Sequence, residues 1–326
     1  MKRILVTGAG GFIGSHLVEE LVKTDNEVVA FIKYNGRNDW GNLERVDKHI
    51  LDHVEVAMGD ISDPYFVNNA VKRADVVFHL AALIGIPYSY VAPESYVRVN
   101  VSGTLNILQA CRANGVGKLI HTSTSETYGT AVYAPIDEKH PMQAQSPYSA
   151  SKMAADKLVE SFYLSFNLPV VTIRPFNTYG PRQSARAVIP AIISQLLSPS
   201  DTVRLGSLDP VRDFCYVKDT VNAFVLAMTR SDDIGRVMNV GTGIGVTIGE
   251  IVNTLQGIIG TRKTIRTDPE RIRPSQSEVM KLICDNALAK QVIGWSPKHD
   301  LEKGLANTVE YMRENMRMFK AGIYSI

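Results

Sequence analysis

Continuous apolar runs alternate along the chain with stretches whose apolar residues recur at helical spacing. The run RILVT lies near the start, and VEVAMG and ADVVFHLAAL follow further along. These runs lack the alternation of a strand with one exposed face, so they are typical of parallel strands covered by helices on both faces. The order of strands and helices therefore predicts an α/β fold built on a doubly wound parallel sheet.

A glycine-rich turn joins the first predicted strand to the first predicted helix, in the segment RILVTGAGGFIGSHLVEELV. Glycines let the backbone turn sharply and approach a ligand, and the free N–H groups at the start of a helix favour a diphosphate. A plain tight turn is the alternative, but the position between a strand and a helix indicates a dinucleotide site. The candidate contacts are Gly8, Gly11, Phe12, Ile13 and Gly14.

The second predicted strand, EVVAFIK, ends about twenty residues after the glycines, where an NAD enzyme usually presents a carboxylate to the adenosine ribose. The residues that follow offer Lys33 and Arg37 instead of an acid. Two cations can accommodate a 2′-phosphate, which favours NADP over NAD. Solvated loop charges are the alternative interpretation, so NADP and NAD both remain open.

The bulk composition excludes several classes of protein. The 326 residues are 45% hydrophobic and carry a net charge of +2, which does not favour nucleic acid or a membrane surface as a partner. No apolar run is long enough for a membrane-spanning helix. Cys111, Cys215 and Cys284 lie far apart, which fits free, mostly buried thiols and a cytoplasmic protein. The histidine pair in HILDH lacks a third protein ligand, so no metal site is predicted.

Candidate catalytic side chains gather after the fifth predicted strand, in GKLIHTSTSETYG. Thr124, Ser125 and Glu126 follow this strand, and open α/β sheets bind ligands at the carboxyl ends of their strands. A helix then begins in SPYSASK, where Tyr148 and Lys152 share one face. We expect the lysine cation and a positive nicotinamide to lower the pKa of the phenol, so that it can act as a base.

These motifs resemble the extended short-chain dehydrogenase/reductase family of nucleotide-sugar enzymes. The resemblance spans essentially the whole chain and is carried by TGAGGFIG, STSETYG, YSASK, RPFNTYGPR and RDFCYVKD. It implies a Rossmann-like fold in which Asp60 and Ile61 flank the adenine and Ala81 and Ala82 line the ribose. It also implies substrate contacts from Asn177, Val188 and Arg273, and Arg212 is a natural diphosphate clamp because its fork of donors matches phosphate.

Glu126 exceeds what the oxidation of an alcohol requires. Once C4 of a sugar is a ketone, a carboxylate can remove the acidic C5 proton and deliver it to the departing C6 hydroxyl, with Ser125 orienting the carboxylate. STSETYG resembles the motif of sugar-nucleotide 4,6-dehydratases, above all the GDP-N-acetylglucosamine 4,6-dehydratases of the legionaminic acid pathway. A UDP-glucuronate decarboxylase, a nucleotide-sugar 4-epimerase and a catalytically silent cofactor sensor are the alternatives.

The same resemblance predicts the organisation of the chain. We expect a dinucleotide-binding domain over residues 1–174, with segments near 211–243 returning to it, and a smaller α/β substrate domain over 175–326. The helices near 93–113 and 147–166 carry apolar stripes that form a two-fold four-helix interface in this family, so a homodimer is expected. Two sequence features receive structural interpretations. TIGE is a capping box that starts a helix, and His79 and His121 occupy buried strand positions.

Overall fold

A computed structural model describes residues 1–319. The strands of this part of the chain are β1 (Arg3–Thr7), β2 (Glu27–Lys33), β3 (Val54–Gly59), β4 (Val76–His79), β5 (Lys118–Thr122), β6 (Val170–Pro175), β7 (Asn177–Tyr179), β8 (Thr202–Leu205), β9 (Val211–Tyr216), β10 (Val237–Val240), β11 (Gly245–Thr247), β12 (Thr264–Thr267) and β13 (Lys281–Leu282). The helices are α1 (Phe12–Val22), α2 (Lys48–Leu51), α3 (Pro64–Val71), α4 (Ile86–Val91), α5 (Pro93–Tyr96), α6 (Gly103–Ala113), α7 (Pro147–Phe166), α8 (Val188–Leu196), α9 (Val217–Thr229), α10 (Ile248–Ile259), α11 (Ala287–Ile293) and α12 (Leu301–Glu314).

The main sheet has seven parallel strands in the order β10-β6-β5-β4-β1-β2-β3. This arrangement confirms the predicted Rossmann-like, doubly wound fold. The strand order reverses between β1 and β4, and in such sheets the ligand crevice lies outside the carboxyl ends of the strands at that point.

The side chains of β1 show why its sequence is continuously apolar. Ile4 and Val6 are fully buried in a large cluster on one face of the sheet, and Leu5 is fully buried in a second cluster on the other face. Because successive side chains of a strand point to opposite faces, a strand covered on both sides needs apolar residues at every position. The apolar run is therefore a direct consequence of two helical layers.

A smaller region covers one end of the main sheet. There β9 pairs with β7, β11 and β13, and β8 pairs with β12. The chain does not divide cleanly in sequence, because β10 pairs with β6 in the main sheet and α9 packs against α1. The domain limits given above remain a prediction.

Two local predictions are confirmed. Thr247 and Glu250 form the capping box that starts α10, with Thr247 Oγ1 accepting from the Glu250 N–H at 3.1 Å. His79 is buried and hydrogen-bonded, with Nδ1 2.9 Å from Thr7 Oγ1 and Nε2 3.0 Å from Thr104 Oγ1.

The cysteines are buried thiols. Within residues 1–319, no helix combines the length and the apolar character needed to cross a membrane.

Candidate active site

A cleft of about 1010 Å³ opens at the carboxyl ends of the central strands. The turn after β1, the end of β2, the segment after β4 and the segment after β5 line one side of the cleft. Residues of the smaller region line the other side. The sequence-predicted residues that the structure brings into this cleft are Gly8, Gly11, Phe12, Ile13, Gly14, Lys33, Arg37, Ala81, Ala82, Thr124, Ser125, Glu126, Tyr148, Lys152, Asn177, Val188, Arg212 and Arg273.

Asp60 and Ile61 do not line the cleft. They follow β3, and the Asp60 carboxylate accepts hydrogen bonds from the Ser62 N–H and hydroxyl at 2.8 and 2.7 Å. Ile61 is buried beside Gly103, where a Cβ on that glycine would lie 3.0 Å from the isoleucine side chain. Their contact with an adenine ring therefore remains a prediction from resemblance.

The glycine turn fits a dinucleotide. Gly8 has a φ of +71°, and a Cβ at this position would lie 2.8 Å from the backbone nitrogen of Ala81. Gly11 precedes α1 without a side-chain cap, and the first N–H groups of a helix have no partners within it. The turn therefore presents bare backbone to the cleft, as a diphosphate group requires.

The loop after β2 corrects the sequence analysis at one position. An acid is present there after all, because Asp39 lines the cleft together with Lys33 and Arg37. The Asp39 carboxylate accepts a hydrogen bond from the Gly41 N–H at 2.6 Å. The indole N–H of Trp40, which also lines the cleft, is buried without a hydrogen-bond partner among the described residues. An unpaired buried donor at this end of the cleft fits a polar group of a bound adenosine.

Tyr148 and Lys152 lie on the first turns of α7, which starts at a capping box formed by Ser146 and Ser149. The Tyr148 phenol hydrogen-bonds the hydroxyl of Thr124, and Lys152 Nζ donates to the carbonyl oxygen of Thr122 at 2.7 Å. Burial raises the pKa of Tyr148, although the Thr124 hydroxyl favours the ionised phenol. The expected lowering of this pKa by Lys152 together with a bound nicotinamide remains a prediction. Burial also lowers the pKa of Lys152 to about 8.

Glu126 lies on a short 3-10 turn, Ser125–Tyr128, directly after β5. The side chain of Thr124 caps this turn by accepting the Glu126 N–H at 3.2 Å. Glu126 is half-buried and lines the cleft, where its charge acts on two neighbours: it opposes ionisation of Tyr148 and favours the cationic form of Arg212. The carboxylate thus faces the same space as the phenol.

The far side of the cleft is cationic. Arg212 Nη2 lies 3.3 Å from Glu278 Oε1, and Arg273 Nη1 lies 3.6 Å from the same oxygen. The buried amide oxygen of Asn177 has no hydrogen-bond partner in the described part of the chain. Glu278 was missed by sequence reasoning because it lies in an irregular segment, without a periodic pattern that would place it beside two arginines.

Among the described residues, no group of three or more His, Cys, Asp or Glu side chains is placed to hold a metal ion. His49, the first histidine of the HILDH segment, instead lies 2.9 Å from Asp47.

Comparison with known proteins shows which family the chain belongs to. The family model described as GDP-mannose 4,6 dehydratase matches residues 5–308. The chain belongs to this family. A UDP-glucose 4-epimerase of Mycolicibacterium smegmatis is 35% identical over 95% of the chain and 98% of the relative. A mouse dTDP-D-glucose 4,6-dehydratase is 34% identical over 98% of the chain and 91% of the relative.

A solved structure gives the same result at the level of the fold. DesIV, a dTDP-glucose 4,6-dehydratase from Streptomyces venezuelae determined with NAD bound, superimposes with a TM-score of 0.90. It is 28% identical, and the match covers 98% of the chain and 99% of DesIV. The family member described here is therefore an enzyme of the sugar-nucleotide dehydratase and epimerase type.

Proposed function

We propose that the chain is a nucleotide-sugar 4,6-dehydratase, which converts the sugar of a nucleoside diphosphate sugar into a 4-keto-6-deoxy sugar and releases one water. The position of Glu126 carries this proposal. It is a half-buried carboxylate that lines the cleft within electrostatic range of Tyr148. Oxidation of an alcohol needs no second acid–base group at this place, whereas elimination of water does.

We infer that the cofactor is a tightly bound NADP or NAD. The glycine turn would hold its diphosphate, and the loop with Lys33 and Arg37 would hold its adenosine end. When bound, a nicotinamide dinucleotide supplies an acceptor for the C4 hydride and a store that returns it, so the cofactor is regenerated each cycle. NAD in the DesIV structure supports this inference.

The first half of the reaction depends on the helix α7. Tyr148 takes the proton of the C4 hydroxyl as C4 becomes a ketone, and the Thr124 hydroxyl binds the same oxygen. Lys152 lies four residues after Tyr148 on the same helix and lines the same cleft, and its cation would favour the ionised form of the phenol that the proton transfer needs. These three side chains would perform the oxidation in a dehydratase, an epimerase or a decarboxylase alike.

The second half depends on Glu126. The C4 ketone makes the C5 hydrogen acidic, and Glu126 removes this proton while the C5–H electron pair forms the C5–C6 double bond. The proton then passes to the departing C6 hydroxyl, which leaves as water, and Ser125 orients the carboxylate. C6 would recover the hydride taken from C4, and C5 would take up one proton, which balances the proton that Tyr148 accepted from the C4 hydroxyl. The atoms balance with the loss of one water.

The substrate is held from the smaller region. Arg212 and Arg273 would supply two guanidinium groups for a diphosphate, Asn177 would contact the sugar or the phosphate, and Val188 would contact the substrate. The resemblance of the motifs favours GDP-N-acetylglucosamine as the nucleotide sugar. Relatives named for dTDP-glucose and for UDP-glucose make a panel of nucleotides the right first experiment.

That experiment offers the purified protein UDP-, dTDP- and GDP-hexoses and reads the product mass. Loss of water is the expected result. Glu126→Gln should still reduce the cofactor when substrate is added, yet it should lose at least about a hundredfold in water release because the base is gone. Glu310→Gln, at an exposed position of α12, is the control. Undiminished water loss by Glu126→Gln would disprove the mechanism.

A UDP-glucuronate decarboxylase is the second candidate. Such an enzyme needs a cation near the C5 carboxylate of its substrate, and Arg212 lies close enough to Glu126 for the two charges to interact. The same mass measurement separates the candidates, because a uronic acid substrate would lose carbon dioxide. No change in mass would favour a 4-epimerase.

A further inference from the structure

A buried polar network lies directly behind the catalytic side chains. Its centre is Asp156, one helical turn beyond Lys152 on α7. Asp156 Oδ2 accepts from Ser123 Oγ at 2.6 Å, and Oδ1 lies 3.2 Å from His121 Nε2. The carboxylate therefore contacts one residue of β5 and the residue directly after the strand. Lys152 donates to the carbonyl oxygen of Thr122, which lies between them. These three side-chain contacts fix the end of β5 against the helix.

The network continues from Asp156 through Arg174 on β6. Arg174 Nη2 donates to Asp156 Oδ2 at 2.7 Å, and Nη1 donates to the phenol oxygen of Tyr128 at 2.6 Å. The guanidinium carbon also lies 4.7 Å from the centre of the Tyr128 ring. Because these contacts use different nitrogens of one planar group, Arg174 sets the distance between Asp156 and Tyr128.

Tyr128 is the last residue of the turn that carries Glu126. Its side chain is fully buried, and its hydroxyl donates to Asn239 Oδ1 on β10 at 2.8 Å. The other end of the turn is fixed by Thr124, which also contacts Tyr148. The turn is thus held at its start by a catalytic hydroxyl and at its end by the network.

None of the network residues Tyr128, Asp156 and Arg174 lines the cleft, so none would touch the substrate. Stability alone is a weak reason for burying an ion pair, because the cost of removing two charges from water offsets much of their attraction. The ion pair between Arg174 and Asp156 is almost wholly buried. A defined geometry between two catalytic elements is a stronger reason.

We propose that Arg174, anchored by Asp156, is a positioning residue that fixes Glu126 relative to Tyr148 through the hydroxyl of Tyr128. The inference rests on the proposed function, because it assigns the network to the water-elimination step. Tyr148, Lys152 and Thr124 are held by other contacts, so loss of the Tyr128 hydroxyl should affect the Glu126 step more than the oxidation.

The test is Tyr128→Phe, which keeps the ring and its packing but removes the acceptor of Arg174 and the donor to Asn239. We expect cofactor reduction on mixing with substrate to stay close to the wild-type rate. Water release should fall about ten- to a hundredfold, as a small misplacement of a catalytic group can cause. Reduced cofactor should then accumulate, which the wild-type protein should not show.

The matched control is Tyr179→Phe. Tyr179 is also a buried tyrosine, and its hydroxyl donates to the carbonyl oxygen of Leu301 at 3.1 Å, away from the network. Removing this hydroxyl should leave the ratio of the two half-reactions unchanged even if it lowers the melting temperature.

Equal slowing of oxidation and water release by Tyr128→Phe, in proportion to lost stability, would show a merely structural role and overturn the inference. An unchanged ratio would overturn it as well. Asp156→Asn supplies a second measurement, because this residue also holds β5: it should slow both half-reactions. If Glu126→Gln stalls after oxidation but Tyr128→Phe does not, the proposed function stands and this inference alone fails.

Discussion

The ionisation of Tyr148 is the central question at the scale of single residues. Burial raises its pKa and the charge of Glu126 raises it further, while the Thr124 hydroxyl lowers it. A base with these surroundings needs additional positive charge before it can accept a proton efficiently. In the proposed mechanism, Lys152 and the nicotinamide ring are the two groups that supply this positive charge. Burial lowers the pKa of Lys152, so its cation is less stable than that of an exposed lysine.

The lowered pKa of Lys152 therefore predicts how the rate of C4 oxidation depends on pH. Its pKa is lowered by burial to about 8, so the cation that would favour the ionised phenol is lost as the pH rises through this value. The rate of C4 oxidation should fall above pH about 8. A rising rate across this range, measured by stopped-flow absorbance of the reduced cofactor, would contradict the role of the lysine. In Lys152→Met the oxidation should be slow and should lose this decline.

As the pH rises, titration of Lys152 should increase the stability of the fold, whereas it should decrease the rate of oxidation. The folded-state pKa lies below that of an exposed lysine, so between these two values the unfolded chain binds more protons than the folded chain. The free energy of unfolding contributed by this group therefore rises with pH across that range. Activity and stability thus diverge in alkaline solution, which separates loss of the cation from general unfolding.

At the scale of elements, the sequence is informative where local chemistry decides the structure. Ser146 and Pro147 predict the start of α7, and Gly8 predicts the turn after β1, because caps and left-handed turns depend on a few neighbouring residues. The network around Asp156 could not be predicted this way. Its members come from β5, α7 and β6, and their meeting depends on the register of the sheet. Asp39 was missed for a different reason, since the sequence of an irregular loop does not show which of its side chains faces the cleft.

The loop after β2 gives a prediction about the cofactor. Lys33 and Arg37 favour a 2′-phosphate, while Asp39 favours a free ribose hydroxyl but already accepts the Gly41 N–H. We expect NADP to predominate, because two cations and the unpaired Trp40 N–H face this end of the cleft. Release of the cofactor from the denatured protein and its mass spectrum would identify it directly.

A binding measurement with matched variants tests the same element without catalysis. 2′-phospho-AMP should bind the cofactor-free protein more tightly than AMP. The double variant Lys33→Ala, Arg37→Ala should lose this preference, by about tenfold for each charge-assisted contact removed. Equal binding of the two nucleotides to the unmodified protein would assign NAD instead.

At the scale of the whole molecule, the cleft is assembled from distant parts of the chain. Tyr148 comes from the helix beside the main sheet, whereas Arg212 lies on β9 and Arg273 follows β12. The return of β10 to the main sheet ties these parts together, and Asn239 on β10 contacts Tyr128. The end of the Glu126 turn is therefore bound to a strand that joins the main sheet from a much later part of the chain.

The outer surface of α5, α6 and α7 leads to the last prediction. Val97, between α5 and α6, and Leu164 on α7 are exposed although both are large and apolar, and Tyr88 and Val91 on the neighbouring α4 are exposed as well. Apolar residues grouped on one side of a molecule mark an interaction surface, and a two-fold axis would pair each helix with its copy. We expect the protein to sediment as a homodimer. Val97→Arg should shift it to a monomer, because the introduced charges would face each other across the axis.

Val132→Arg is the control for this experiment, since Val132 is more exposed than Val97 but lies in the loop after the Glu126 turn. It should leave the dimer intact. A monomeric wild-type protein at micromolar concentration, in sedimentation velocity, would contradict the predicted four-helix interface. The outcome also bears on catalysis, because α7 carries Tyr148 and Lys152 on its buried face. A partner packed on the opposite face would hold that helix in place, so the monomeric variant should lose oxidation and water release together, unlike Tyr128→Phe.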